Sequence, residues 1–344
     1  MMDDANTTPP PGRSGRWTRR GLFGCLLVAT ALLPVAAASA AEVTLRLGHP
    51  VLLSHPYHDA SLRFSEAVKK RTNGAVEIQI FPARQLGDVR ELLNGVKFGT
   101  IDLTFSDVSA YPQLQSMQFP WLITSYQHLA NVVKLPETRA MLAPKLDSEG
   151  IEMLTIYEGG RFSFLTVRRE VNSLNDLRGL KTRVAPVRMH LEIWQAIGTN
   201  PTPVAYGELY TALETGTIDA LGINLTSIYS EKFYEIGKHV LQTNHNYWPA
   251  MLVMNKRKFS LLSAEHQKAI RDAAIETSEP QIMAVDRAEQ DLITKLKGLG
   301  VSIRPMPDSL RTELMAKAQP VVDKYAAADA AVPPFIAAVK KAAQ

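Results

Sequence analysis

Val43-Thr44-Leu45-Arg46-Leu47 alternates apolar and polar side chains, the period of a half-buried strand. Ser54 is placed to cap a helix reaching Arg71, with Leu62, Phe64, Ala67 and Val68 on its apolar face and Asn73-Gly74 at its end. A second alternation at 76–81 predicts another strand, 89–98 a helix, and 101–105 a third strand. A β-α-β-α-β order of this kind predicts parallel strands covered by helices on both faces. The pattern starts again after Gly159-Gly160, with strands at 162–167 and 181–184 and helices at 187–197 and 207–215. Met251-Leu252-Val253-Met254 reads as a strand returning to the first unit. A long amphipathic helix over 264–299, a short strand at 301–303 and a helical tail complete the chain.

An internal echo supports two related lobes. Glu91-Leu92 stands eight residues before Gly99-Thr100-Ile101-Asp102, and Glu208-Leu209 stands eight before Gly216-Thr217-Ile218-Asp219. Both copies read as a helix, a glycine free to turn left-handed, and a strand entering a sheet. Two α/β units that independently chose the same helix stop would look alike too. The element order assigns 41–158 with about 249–288 to lobe I, and 159–248 with about 289–344 to lobe II. A chain crossing between lobes more than once places a cleft beyond the strand ends, where open α/β sheets bind ligands.

Length agrees, since 344 residues exceed one small core and suit two α/β units. The formal net charge is +4, but residues 1–40 hold Arg13, Arg16, Arg19 and Arg20 against Asp3 and Asp4. The rest balances 34 basic against 32 acidic residues, with no basic block suited to phosphates, so nucleic acid is not an expected partner. Those forty residues read as an export signal. Arg19-Arg20 precede an apolar run from Leu22 to about Ala38, and Ala38-Ser39-Ala40 forms a small-x-small cleavage site before Ala41. The arginine pair suggests the twin-arginine route. Cys25, the only cysteine, lies inside the apolar run, so the expected mature protein has no disulfide, zinc thiolate or thiol nucleophile.

Catalytic signatures are missing: the chain has no G-x-S-x-G, Walker loop, G-x-G-x-x-G or H-E-x-x-H. His55 and His58 could share a helix face, but a metal would need further ligands, and packing at the helix start is the expected role. No cofactor is implied. What remains is arginine at a binding cleft. Arg161 follows the glycine pair, and Arg183 lies in the strand Lys181-Thr182-Arg183-Val184. An arginine in an apolar strand, as Arg183 is, either pairs with an internal acid or presents its fork to a ligand carboxylate, whereas Arg161 by itself reads first as an exposed loop arginine.

The chain resembles the solute-binding proteins of TRAP (tripartite ATP-independent periplasmic) transporters. The resemblance rests on Leu47-Gly48-His49 with His55-Pro56-Tyr57-His58, Phe81-Pro82 with Gln85-Leu86-Gly87, and Gly99-Thr100-Ile101-Asp102. It continues through Asp176-Leu177-Arg178-Gly179-Leu180-Lys181-Thr182-Arg183-Val184, Asn200-Pro201-Thr202-Pro203, and Ile228-Tyr229-Ser230-Glu231-Lys232-Phe233-Tyr234-Glu235. It implies a periplasmic, non-enzymatic α/β protein of the two-lobed, type II-like periplasmic binding fold. Mixed sheets flanked by helices, hinge strands and a long inter-lobe helix would close over one small organic carboxylate. It also implies a sodium-coupled membrane permease as partner, with no membrane insertion of the mature protein. Arg183 matches the position that grips the carboxylate, and Arg161 one that supports it. A binding protein of an ATP-driven importer and a ligand-presenting sensor are the alternatives.

The departures concern the ligand body. Polar groups found in sialic acid-type members are replaced at Pro50, Val89 and Pro186, and an asparagine common in the family is Ile223 here, with Asn224 one residue off. A buried hydroxyl without a partner costs roughly 1–3 kcal/mol. The expectation is therefore a monocarboxylate with an apolar or aromatic body, of the 2-oxo or 2-hydroxy acid type. Tyr206 would supply a flat wall, Asp107 one polar contact, and Phe162, Tyr247 and Trp248 apolar surface.

Overall fold

The computed structural model describes residues 41–343. The expected export signal, its arginines and Cys25 lie outside the described residues. Ten strands run in chain order as β1 (Val43–Gly48), β2 (Val76–Phe81), β3 (Leu103–Asp107), β4 (Ile151–Thr166), β5 (Lys181–Val184), β6 (Asn200–Pro203), β7 (Ala220–Asn224), β8 (His239–Gln242), β9 (Tyr247–Asn255) and β10 (Ser302–Pro305). Their order is β2-β1-β3-β9-β4-β7-β5-β6, with β8 on β4 and β10 on β8. The two α/β starts are parallel as expected, β1 lying beside both β2 and β3, and β5 beside both β6 and β7. The strand expected to return from 251–254 does so antiparallel, as β9 between β3 and β4.

The longest strand joins the two halves. Residues 151–158 of β4 pair with β9, whereas 162–166 pair with β7 and 164–166 with β8. Between them lies a bulge at Gly159-Gly160, where the register on β9 jumps from Glu158/Pro249 to Arg161/Tyr247. Periodicity places a strand beginning at 162, but the observed strand runs through from Ile151, because a bulge interrupts pairing without ending the strand. Gly160 has φ +137°, and a Cβ there would stand 2.7 Å from Thr226 Oγ1 and 2.8 Å from Asn224 Cβ. Gly160→Ala is expected to destabilise the protein by about 2–5 kcal/mol, backbone strain adding to overpacking. Urea denaturation at unchanged m-value checks this; a change under 1 kcal/mol (roughly the low end of overpacking effects) would show that the bulge relaxes freely.

The helix Ala264–Gly298 crosses the same junction. Gln281 holds both main-chain groups of Glu158, accepting from its N–H at 3.0 Å and donating to its carbonyl at 2.7 Å. Eight residues on, Glu289 Oε1 accepts the Arg161 N–H at 2.8 Å. Both sides of the bulge are thus fastened to one rigid element.

The glycines of the internal echo do the same job twice. Gly99 (φ 77°) and Gly216 (φ 70°) are both left-handed, ending the helices Val89–Phe98 and Leu209–Glu214 ahead of β3 and β7. One cap differs from expectation. The first helix spans Pro56–Arg71 and is capped by His55, whose Nδ1 accepts the Tyr57 N–H at 3.2 Å, rather than by Ser54. Pro56 is pre-set for the first helical position, which moves the cap to the residue before it. Leu62, expected on the buried face, is exposed, and Tyr57, Ala60, Phe64 and Val68 fill the core instead.

Candidate functional site

A small cavity of about 30 Å3 lies beside the end of β5. Arg183 on β5, Phe162 on β4 and Gly222 on β7 face it from the second half. His190 and Trp194 come from the helix Arg188–Ile197, and His245 and Asn246 precede β9. Gln118 and Pro120 reach it from the segment that follows β3, so both halves contribute. That segment is tied across the gap by Trp121, whose backbone N–H donates to the His245 carbonyl at 2.6 Å and whose indole donates to the Thr243 carbonyl at 3.1 Å.

Arg183 is 6% exposed. Its Nε donates to the Val204 carbonyl at 3.1 Å, and among the described residues it makes no ion pair. Burial lowers its pKa to about 10, which leaves it charged at neutral pH. Asp107 and Asp88 act on it only through space, and a buried guanidinium without an ion pair among the described residues is costly unless an anion completes it. Of the two readings left open by the sequence, the internal ion pair is not formed with any acid among the described residues.

Arg161 is placed differently. Its neighbour Phe162 faces the cavity, and alternation along the strand turns Arg161 to the other side. There its guanidinium approaches Glu289 at 3.8 Å and lies 5.8 Å from the Tyr126 ring centre. Burial raises the Glu289 pKa to about 7 even against the opposing pull of Arg161. Burial also raises that of Glu158, whose Oε1 accepts the N–H groups of Gly160 and Trp248 while Oε2 has no partner. The structure therefore does not bring Arg161 into the cavity with Arg183.

The remaining expected residues divide. Asp107 and Trp248 stand behind the wall: the indole donates to Asp107 Oδ2 at 2.6 Å, and Asp107 Oδ1 accepts from Gln118 Nε2 at 3.2 Å. Tyr206 packs on Trp248 with ring centres 5.3 Å apart and donates to Ser227 Oγ at 3.1 Å, inside the core rather than as a cavity wall. Tyr247 is likewise core, set edge-on to Tyr126. Ile223 points away from the cavity, one strand position from Gly222. Val89 is half-buried against the main core, and Pro186 is exposed beside the cavity-lining Ala185. Asn224 Oδ1 caps the helix Leu225–Ser230 by accepting from the Ser227 N–H at 2.8 Å.

Gln118, His190, Trp194, His245 and Asn246 were not legible as site residues. No motif marks them, and three chain segments must meet before they share a wall. Among the described residues no group of three or more His, Cys, Asp or Glu is placed to hold a metal ion. His55 caps a helix, and His58 Nδ1 lies 3.1 Å from His49 Nε2.

Residues 47–329 match the family model described as bacterial extracellular solute-binding protein, family 7. The chain belongs to this family, the TRAP solute-binding proteins. It is 31% identical over 278 residues to the 2,3-diketo-L-gulonate-binding periplasmic protein of Escherichia coli (strain K12), covering 79% of this chain and 84% of that one. The sugar acid binding protein of Advenella mimigardefordensis, solved with galactonate, superposes with a TM-score of 0.84 at 28% identity, covering 88% of this chain and 99% of its own. A TRAP solute-binding protein of Desulfovibrio salexigens with bound orotic acid gives 0.81 at 29%, covering 87% and 98%. The two-lobed fold expected of a TRAP solute-binding protein is thus the one observed. No described helix of this family member is long and apolar enough to cross a membrane.

Proposed function

We propose that this protein works in the periplasm, where it captures a small organic monocarboxylate on Arg183 and delivers it to the membrane permease of a TRAP transporter, without chemical turnover. One observation carries the reading: a buried, charged guanidinium without an ion pair, in a cavity built from both halves. A planar fork of donors matches a carboxylate with two parallel hydrogen bonds. The helix Arg188–Ile197 begins beside it without a side-chain cap, so its end adds positive potential of the same sign. Relatives named for dicarboxylates, diketogulonate and sialic acid support an organic acid as the class.

The mechanism is closure. The cavity is too small for an organic acid to enter unless Gln118 and Pro120 withdraw from the second half. The carboxylate meets Arg183 first, and the halves then close upon the ligand body, because only the closed form touches it from both sides. The bulge at Gly159-Gly160 and the start of β9 are the places where the chain can flex. An apolar or aromatic body is supported by half of the wall only, through Phe162, Ile193, Trp194, Val184 and Pro120.

Thermal-shift screening of a carboxylic acid library, each acid paired with its primary amide, tests the proposal. Acids are expected to raise the melting temperature by several degrees at millimolar concentration, following mass action on the folded state, and their amides are not. Equal shifts from acid and amide would sink the assignment.

A further inference from the structure

Six non-glycine residues among those described adopt a left-handed backbone, and five of them stand at two places where the halves touch. Trp121 and Asn244 mark one: Asn244 lies between Thr243 and His245, whose carbonyls take the two Trp121 donors. Ala83, Arg84 and Lys232 mark the other, where Lys232 follows Glu231, the partner of Arg84. We propose that the Arg84–Glu231 ion pair and the Asp88–Gly207 contact beside it form a clasp that holds the halves shut and sets how long a bound acid stays. The clasp is made by the protein alone, and its effect on residence time rests on the carboxylate reading above.

Two short segments build it. Arg84 lies in the turn after β2, in the first half, and Glu231 follows the helix Leu225–Ser230 in the second. The side chains meet fork to fork: Nη1 donates to Oε1 at 3.3 Å and Nη2 to Oε2 at 3.1 Å. They are 26% and 9% exposed, so water screens this pair less than one on an open surface. Nη1 also donates to the Pro50 carbonyl at 2.7 Å, which fixes the guanidinium on its own half. Four residues on, Asp88 uses both of its oxygens. Oδ1 accepts the Val89 N–H at 2.8 Å, capping the helix Val89–Phe98, and Oδ2 accepts the Gly207 N–H across the gap at 2.9 Å. The halves come this close because residue 207 has no side chain: a Cβ there would stand 2.9 Å from Arg84 Cδ and 3.2 Å from Asp88 Oδ2.

The backbone is bent to make this reach. Ala83 (φ 53°) and Arg84 (φ 64°) are consecutive left-handed residues without the freedom of glycine. Main-chain bonds to the loop after β1 hold them, from the Ala83 N–H to the Val51 carbonyl at 3.0 Å and from the Arg84 N–H to the His49 carbonyl at 3.3 Å. Strain of this kind persists only where its surroundings over-determine it, and it gathers at clamps and switches. Among the described residues only Asn73, just beyond the helix Pro56–Arg71, adopts it away from a contact between halves. Trp121 (φ 58°) straps one side of the gap and Arg84 clasps the other.

Amide hydrogen exchange on the ligand-free protein tests the clasp directly. The Gly207 N–H is expected to be protected, and Glu231→Gln to speed its exchange about tenfold while the amides of β4 and β9 stay as slow as in the wild type. Stopped-flow displacement of galactonate, orotate or hexanoate, whichever gives the largest melting shift, reads the consequence. Glu231→Gln and Arg84→Lys should raise the dissociation rate about tenfold and leave association no slower, because the acid enters the open form. Gly207→Ala keeps every charge and wedges the clasp, so it carries the same kinetic expectation should the Glu231 variant not fold. An unprotected Gly207 amide in the wild type, or variants whose dissociation rates do not move, would overturn the clasp and leave the Arg183 reading standing. A Gly207 amide that responds as expected, in a protein that binds none of the three acids, would keep the clasp and overturn the Arg183 reading.

Discussion

Arg183→Ala is expected to weaken binding of the cognate carboxylate by about 30-fold to several-thousand-fold, the loss that follows when one side of a buried charge pair is removed. The size of the effect follows from surroundings that offer no substitute. Among the described residues the guanidinium makes one hydrogen bond, to the Val204 carbonyl, and no other lysine or arginine faces the cavity. Arg183→Lys keeps the charge but not the fork, and should recover only a small part of the loss. Arg161→Ala provides the contrast. Its guanidinium lies against Glu289 on the far side of β4, so its removal should change stability more than affinity. Calorimetry on all three variants separates these outcomes. An unchanged dissociation constant for Arg183→Ala, or a larger loss for Arg161→Ala, would move the carboxylate site off β5.

Acid should unfold this protein well before its surface carboxylates are protonated. Burial is the main reason that the pKa of His49 and His190 falls to about 4 and that of His55 and His245 to about 3. An unfolded histidine titrates near 6.5. As pH falls from 6.5 toward 4 the unfolded chain therefore takes up protons that the folded one refuses, and stability drops. Three buried carboxyls, Glu158, Glu289 and Asp107, are shifted up by burial and oppose this. Burial raises the Glu289 pKa to about 7 and raises that of Glu158 in the same direction, so each favours the folded state more as pH falls through the window above 4.5. Five lowered imidazoles, with His58, outnumber the three carboxyls, leaving a net slope on the order of 1–3 kcal/mol per pH unit between about 4.5 and 6.5. Above that window only the carboxyls act, and stability should decline gently past pH 7. Urea midpoints at pH 5, 6.5 and 8 should thus be highest at 6.5 and lowest at 5. Greater stability at pH 5 than at 6.5 would show that the hinge carboxyls, not the histidines, govern the acid response. Glu289→Gln should remove part of the decline above 6.5 and leave the acid limb intact.

The elements were legible wherever one short segment decides its own state. β2, β5 and the helix Val89–Phe98 lie where alternation, helical period and a left-handed glycine stop put them. Arg183 was legible too, because an arginine flanked by valine in a strand announces an unusual environment whatever surrounds it. Arg161 read as an exposed loop arginine from its glycine neighbours and as a ligand contact only through the resemblance, yet a β-bulge sets which face of a strand a side chain takes, and that depends on pairing with β9. Likewise, an apolar ligand body was expected from missing polar groups at four positions, whereas the cavity wall draws its polar atoms from elsewhere.

By itself, then, the sequence determined the α/β class, the doubled helix-glycine-strand unit, the family through its motif residues, and an arginine set in an apolar strand. All of these rest on contacts within a few residues or on one residue type in a strand. The cavity's second wall was decided only in three dimensions. Gln118, His190 and Asn246 are separated by 56 to 128 positions, carry no shared motif, and line one cavity with Arg183 only once the strands draw three segments together.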